Sequence, residues 1–540
     1  MRMPQSSRRR RRRNGKPRPP DERPAAAALR RKGSFQRRPL IVPCGEDRLS
    51  ALADDLLRLI LRRLDTRSAL ATAALSKRWV DLPRGLDALD FRVSDILPAR
   101  YHRCVRVHSE ASANFYGFVV SFKELCTSIR RYERRAMRAM AASTTNFLNA
   151  DEVHDRAGEE GPRRVRTLRI EFFATQCGTS SVNRLIARSF DSWGVEDLEV
   201  SAKGTYGRRE AYSFPHHGLC KDPQKSHLRS LKLAGCHIPP LQGFRTLSSL
   251  VLQDLPESTP TAAFVAVFTL CPQLQALHLK SCKFNQGVLA VHAPRSEIRQ
   301  LVIEHCYGEI KLYTLPMLER MAVLDTIVVC RLSSFPSLRQ LNVTQCHGII
   351  KSRMFCFKLD LDLKLYLGGT PGITDLVMRY TEYDRWFKTW SPTLVLPKLK
   401  RLLIADVPSS WDVSWPRLLL EAAPCLERLH IHITPWEEER RNHISRQPPQ
   451  FYHNQLKELV IVGFEGTKRQ IYFVNFVMKV STVLQIVSLY KNGHVQNRGH
   501  WDWNMVTQQF QWGNKEKFKI LNQIADNVHC SSTAIQIVLG

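Results

Sequence analysis

The residues that could do chemistry are few and scattered. Cys104 follows His102 and Arg103, and cations beside a thiol favour the reactive thiolate. Adjacency along the chain does not aim those groups at the sulfur, so an inert thiol is the expectation. His216-His217 lies in a stretch bearing Pro215 and Gly218, where paired histidines are solvated unless further ligands converge on them. Glu437-Glu438-Glu439 runs into Arg440-Arg441 and reads as an exposed, ion-paired stretch. There is no phosphate loop, G-x-S-x-G elbow, H-E-x-x-H or kinase signature, and no Cys-x-x-Cys or Cys/His group with zinc spacing. The fourteen cysteines read as buried thiols of a reducing compartment rather than as a disulfide framework. Neither catalysis, a metal nor another cofactor is expected. What remains is the chemistry of surfaces, and two patterns supply it.

The first runs from Asp47 to Phe91. Leu52, Leu56, Leu57, Ile60, Leu61 and Leu64 recur at helical spacing, which stacks them along one stripe. Asp54 and Asp55 suit the positive end of that helix, and Arg62 and Arg63 suit its negative end. A second short helix is expected over Ser68 to Leu75, then Ser76-Lys77-Arg78-Trp79 with Leu82 beyond. Three short helices in about 45 residues bury too little apolar surface to stand alone. Such a unit shares its core with another chain.

These residues resemble an F-box of the plant type, without a gap across the segment. The usual proline after Leu52 is Ala53, and Val80 stands where an Arg usually follows Trp79. The resemblance implies docking on the Skp-family adaptor of an SCF-type ubiquitin ligase, through Leu52, Leu56, Leu57, Ile60, Leu61, Leu64, Leu75 and Trp79. Some of these would also hold the F-box together, and Trp79 is the expected aromatic anchor.

The second pattern starts at Val165. An apolar residue, two others, an apolar residue, one other and an apolar residue return twelve times, from Val165/Leu168/Ile170 to Leu456/Leu459/Ile461. Most intervals fall near the 20- to 29-residue period of leucine-rich repeats. Cys236, Cys282, Cys306 and Cys346 stand three residues after the last apolar position, where a small side chain turns inward and stays buried. Each unit would add one strand to a curved parallel sheet. The residues between the last two apolar positions would face the concave side: Arg169, Glu199, Lys232, Val251, His278, Val302, Ala322, Asn342, Val377, Leu403, His430 and Val460. Six are apolar and the charges are of both signs, whereas a phosphate-reading groove is dominated by Lys and Arg. The face suits a protein or small molecule, or is partly covered. Arg169, Lys232, His278, Asn342 and His430 are its candidate target contacts.

The formal net charge of +30 invites a nucleic-acid reading, but residues 1–40 hold 15 Lys/Arg against 2 Asp/Glu. The excess is largely a tail property, and nucleic acid is not expected on the folded part. The tail, with Arg8 to Arg13, reads as a nuclear-import patch, a polyanion-binding arm or a solvated segment. No run of about 18 apolar residues spans a membrane, and no signal peptide is expected at the start. A helix is expected near 118–141, with Arg130, Arg131, Arg134, Arg135 and Arg138 on a solvated face, and a loop over 149–163.

Between Gln455 and Tyr490 a strand, a turn at Gly463 and Gly466, a helix and a closing strand are expected. This stretch resembles the C-terminal element of plant F-box/LRR proteins of the FBD-like group. Beyond it, Trp501, Trp503, Phe510 and Trp512 could pack as a small cap, or Ile520 to Ile524 could open a helix. The expected architecture is α/β. A disordered basic tail (1–44), a three-helix F-box (45–92) and a helical connector (93–164) precede a leucine-rich-repeat solenoid (165–454) and an FBD-like cap and tail (455–540). The implied role is that of a non-catalytic substrate-recognition subunit in nucleus or cytoplasm, its partners an adaptor, a cullin scaffold and an unidentified target. An adaptor-binding scaffold outside a ligase and a nucleic-acid-associated protein acting through its arginine tail are the alternatives.

Overall fold

Strand after strand, the repeated leucines fall into one ladder. The computed structural model describes residues 49, 51–113, 119–157, 163–175, 178–207, 211–330, 335–345, 367, 370–380, 395–409, 414–435, 451–525 and 535–540. The basic tail, Cys346 and the Glu437–Glu439 run lie outside them. Two units separate, Met1–Ala53 and Asp54–Gly540. In the first, the described residues make one turn, closed by the Leu52 amide donating to the Leu49 carbonyl at 3.2 Å.

The second unit is built on a fifteen-stranded sheet. All its pairings are parallel, and Leu168, Leu198, Leu231, Leu250, Leu277, Leu301, Met321, Leu341, Leu376, Leu402, Leu429 and Leu459 stand opposite one another in register. All twelve expected strands are present. Each of these side chains is buried, because alternate residues of a strand face opposite sides and the leucines take the inner one. Three strands extend the ladder: Ala88–Arg92 at one end, and Ile486–Tyr490 and Gln536–Leu539 at the other.

After each of several strands the chain turns inward through a left-handed residue. Gly235, Asp254, Ser281, His305, Asp325 and Gly463 have φ between 46° and 81°. Each precedes a buried residue: Cys236, Leu255, Cys282, Cys306, Thr326 and Phe464. The cysteine thiols reach back to carbonyls of the preceding repeat, Cys282 to Leu252 at 3.4 Å and Cys306 to Leu279 at 3.5 Å. Their burial raises the Cys236 pKa to about 12, so these thiols are structural. Gly463 is the tightest of the turns that sequence reading had marked: a Cβ there would stand 2.0 Å from the Ile433 carbonyl oxygen. Gly463→Ala should therefore cost about 2–3 kcal/mol, read as a lower urea midpoint with an unchanged slope.

The chain from Glu458 to Tyr490 takes the expected form, strand Glu458–Val462, helix Lys468–Val480 and strand Ile486–Tyr490. Thr467 caps the helix in a reciprocal box with Gln470, satisfying two of its free amides. His453 lies buried beside it. Its Nε2 stands 2.9 Å from the Ala423 carbonyl and its Nδ1 accepts from the Leu456 amide at 3.1 Å, an arrangement that needs the neutral ring. Burial accordingly pushes its pKa below the ordinary 6.5. The unfolded chain takes up a proton that the folded chain refuses, so this stability is whole above about pH 6.5 and is lost as pH falls below it. His453→Gln should show a smaller fall in urea midpoint than the wild type between about pH 7.5 and 5.5.

Three expectations need correction. The first helix ends at Leu61 and the second spans Thr66–Ala71, followed by a 3-10 turn over Thr72–Ala74. Asp65 caps the second, accepting from the Ser68 amide at 2.8 Å, which sets its start two residues early. The connector helix runs over Val119–Ala157, well into the expected loop. The polar residues there are buried partners rather than loop residues: Asp151 accepts from the Trp193 indole at 3.0 Å and faces Arg163 at 3.1 Å. Finally, the strand Ala88–Arg92 places the end of the three-helix segment directly in the sheet.

Candidate partner-binding surfaces

Two surfaces stand out, an apolar helix face near the start of the second unit and the concave side of the sheet. The helix Asp54–Leu61 is apolar over much of its circumference. At 100° per residue, Leu59, Leu56, Ile60, Leu57 and Leu61 spread over roughly 200° of arc. Only one side of that arc meets the protein. Leu57 and Leu61, a turn apart, are buried, and Trp79, Leu82, Leu86 and Leu89 are buried with them in the unit's core. Leu56 and Ile60 are 49% and 39% exposed, beside the equally open Leu59, and Leu64 and Leu75 are exposed further on. Isolated exposed leucines are ordinary; five large aliphatics uncovered within twenty residues are the mark of an interaction surface.

The eight residues expected to meet an adaptor thus divide. Leu57, Leu61 and Trp79 build the segment's own core, and Trp79 is not a free aromatic anchor. Leu56, Ile60, Leu64 and Leu75 are open, as is Leu59, which sequence reading did not single out. Leu52 is half-buried in the first unit. Half-exposed ion pairs flank the helix, with Arg78 reaching Asp54 at 2.6 Å and Arg62 reaching Asp87 at 3.5 Å.

The concave side is divided too. Along its first strands the charges pair across neighbouring repeats: Lys232 to Glu199 at 2.6 Å, Arg169 to Glu199 at 3.7 Å, Lys203 to Glu171 at 2.9 Å. Half-exposed pairs of this kind are worth little individually, so a partner can exchange them at small cost. His278 stands 3.1 Å from Glu304, which Lys280 also meets at 2.9 Å. Burial pushes the His278 pKa down.

Further along, the face is covered by the chain itself. Strands Asn492–Arg498 and Asp502–Gln508 form an antiparallel hairpin whose inward side carries Val495, Asn497, Trp503 and Met505. Trp503 is buried in a cluster with Val377, Leu403 and Ala405, and Val495 and Met505 pack against it. Its indole donates to His430 Nδ1 at 3.0 Å, and the Arg401 guanidinium lies 4.4 Å from its ring while pairing with Asp502 at 2.9 Å. That pairing holds the Asp502 carboxyl below its usual range. Asn342 donates to the His500 carbonyl at 2.6 Å, and Arg379 to Asn497 at 3.1 Å.

Asn342 and His430 therefore do not face an external target; they hold the hairpin. Arg169 and Lys232 remain half-exposed, whereas the His278 ring is 23% exposed and packs edge-on against His500 at the hairpin turn, centroids 5.7 Å apart. The apolar Val377 and Leu403, unexplained on a recognition groove, are the hairpin's bed. Phe510 and Trp512 do pack together at the end of the chain, under Lys491, and Ile520 and Ile524 lie on the helix Asn514–Ala525. The sequence offers a small cap here and no hairpin; the signal that points to one is the alternation of Trp503 and Met505 beyond the turn at Gly499. Its destination was not.

His216 and His217 are exposed, and Cys104 is half-buried. Among the described residues no group of His, Cys, Asp and Glu could hold a metal ion, and no helix is long and apolar enough to cross a membrane.

Comparison with known proteins agrees with this geometry. The F-box domain model matches residues 49–87, the stretch that holds the exposed leucines. An F-box/LRR-repeat protein of Arabidopsis thaliana is 21% identical over 474 residues, covering 82% of this chain and 74% of the relative. With an F-box match over residues 49–87 and a ladder of leucine strands behind it, this chain is similar in both parts to plant F-box/leucine-rich-repeat proteins.

Proposed function

We propose that this chain is the substrate-recognition subunit of an SCF-type ubiquitin ligase. The observation that carries the proposal is the row Leu56, Leu59 and Ile60, apolar and uncovered on a helix whose opposite side is already packed. A Skp-family adaptor covers that row and links the chain to a cullin scaffold. The open part of the concave face, with Arg169 and Lys232 and with His278 at the hairpin's edge, takes the target, and the FBD-like element from Gln455 onward closes the solenoid. No residue of this chain performs the transfer. Tethering raises the concentration of acceptor lysines near a separate conjugating enzyme. The place of work is the nucleus or cytoplasm.

The test is affinity purification of the full chain from plant cells, with immunodetection of adaptor and cullin together. Both should be recovered, and both should be lost with residues 49–87 removed. Adaptor without cullin would instead make the chain a scaffold outside a ligase.

A further inference from the structure

A cavity of about 480 Å³ lies between the F-box helices and the connector helix, within the range of small-molecule sites. Its wall is largely apolar. Leu70 comes from the second F-box helix, Phe91 from the first strand, and Met140 and Phe147 from one stripe of the connector helix. Arg163 also lines it. That side chain is 4% exposed, and its Nη1 makes no hydrogen bond with any described residue.

The groups behind Arg163 do not balance it. Asp151 is shared between Arg163 at 3.1 Å and Arg188 at 3.6 Å, and it also accepts from Trp193. Asp155 is shared between Arg188 and Arg84, the latter at 3.7 Å. Arg84 lines the cavity as well, and its Nη2 has no hydrogen bond among the described residues. Within this cluster three guanidinium groups meet two carboxylates. Of the remaining charges on the wall, Asp90 pairs with Arg92 at 2.6 Å, while Arg67 and Asp95 are exposed at the rim. A buried cation without full compensation is costly, and burial accordingly pulls the Arg163 pKa down.

We propose that this cavity binds a small amphipathic acid: an apolar body of one ring or a short chain, carrying a single carboxylate. The carboxylate pairs with the Arg163 guanidinium where that side chain lines the cavity and supplies the missing negative charge, and the body lies against Leu70, Met140 and Phe147. A neutral apolar molecule leaves the cation uncompensated, and a highly charged one finds too few partners. None of the exposed Leu56, Leu59, Ile60, Leu64 and Leu75 lines the cavity, and neither does Arg169 or Lys232 of the concave face.

Calorimetric titration of the full chain with phenylbutyrate and with its neutral counterpart phenylbutanol tests this. The acid should bind roughly tenfold or more tighter than the alcohol, the value of a hydrogen bond to a charged group. Arg163→Met should remove that preference and leave the alcohol's affinity unchanged. Ala139→Phe, at an exposed position on the cavity wall, should weaken both ligands. Should Arg163→Met fail to fold, Ala139→Phe still decides, since both ligands must weaken together. Equal affinity for acid and alcohol, no binding of either, or acid binding that survives Ala139→Phe overturns the proposal.

Discussion

Changing Leu56 and Ile60 together to alanine is expected to abolish capture of a Skp-type adaptor while the solenoid stays folded. Covering a large aliphatic side chain is worth about 1.5–3 kcal/mol. Discounted for their partial exposure, the pair should contribute roughly 1.5–2.5 kcal/mol, a factor of about ten to seventy in affinity. The effect separates cleanly from folding because Leu56 and Ile60 are 49% and 39% exposed, whereas their neighbours Leu57 and Leu61 are at most 1% exposed. Leu57→Ala would lose the adaptor as well, but through about 2–5 kcal/mol of lost core packing. A pull-down with purified adaptor, beside a urea melt of each variant, distinguishes the two. Undiminished capture by the folded Leu56/Ile60 variant would remove the adaptor assignment.

Trp503→Ala is the second large effect. Truncating a buried Trp costs about 3–5 kcal/mol, and here the loss falls on one hairpin. The indole's bond to His430, the Arg401 stack and the bed of Val377 and Leu403 disappear together. A two-stranded hairpin has little stability of its own. Amide exchange over residues 492–508 should therefore rise by orders of magnitude, while the strands beneath, such as Asp375–Tyr380, keep their protection. Equal loss in both places would mean that the hairpin belongs to the solenoid's core. Unchanged exchange in the hairpin would mean that other contacts hold it.

The ladder was legible because the pattern is strict where the physics is strict. Every strand must place two apolar side chains inward, and the apolar-x-apolar pair says so twelve times over. The strand Ala88–Arg92 carries the same signal in Leu86, Leu89 and Phe91, but it sits inside a stretch already claimed by a helical motif. The connector helix runs past its expected end because Asp151 and Asp155 answer Arg163 and Arg188, which lie outside the helix. Local composition cannot show such partners. The F-box residues were identified as a set but not sorted. Leu56, Leu57, Ile60 and Leu61 are chemically alike, and only packing decides which pair faces in. The concave face failed for a related reason: which positions stay open depends on a hairpin some 160 residues beyond Asn342.

Size-exclusion chromatography with light scattering, on the full chain mixed with a purified Skp-type adaptor, goes to the centre of the account. A single peak with the mass of one chain plus one adaptor is the predicted result, returning to two separate peaks when Leu56 and Ile60 are replaced. A chain that runs as a stable monomer, with the adaptor eluting apart from it, would contradict the account and leave the exposed leucines for another partner.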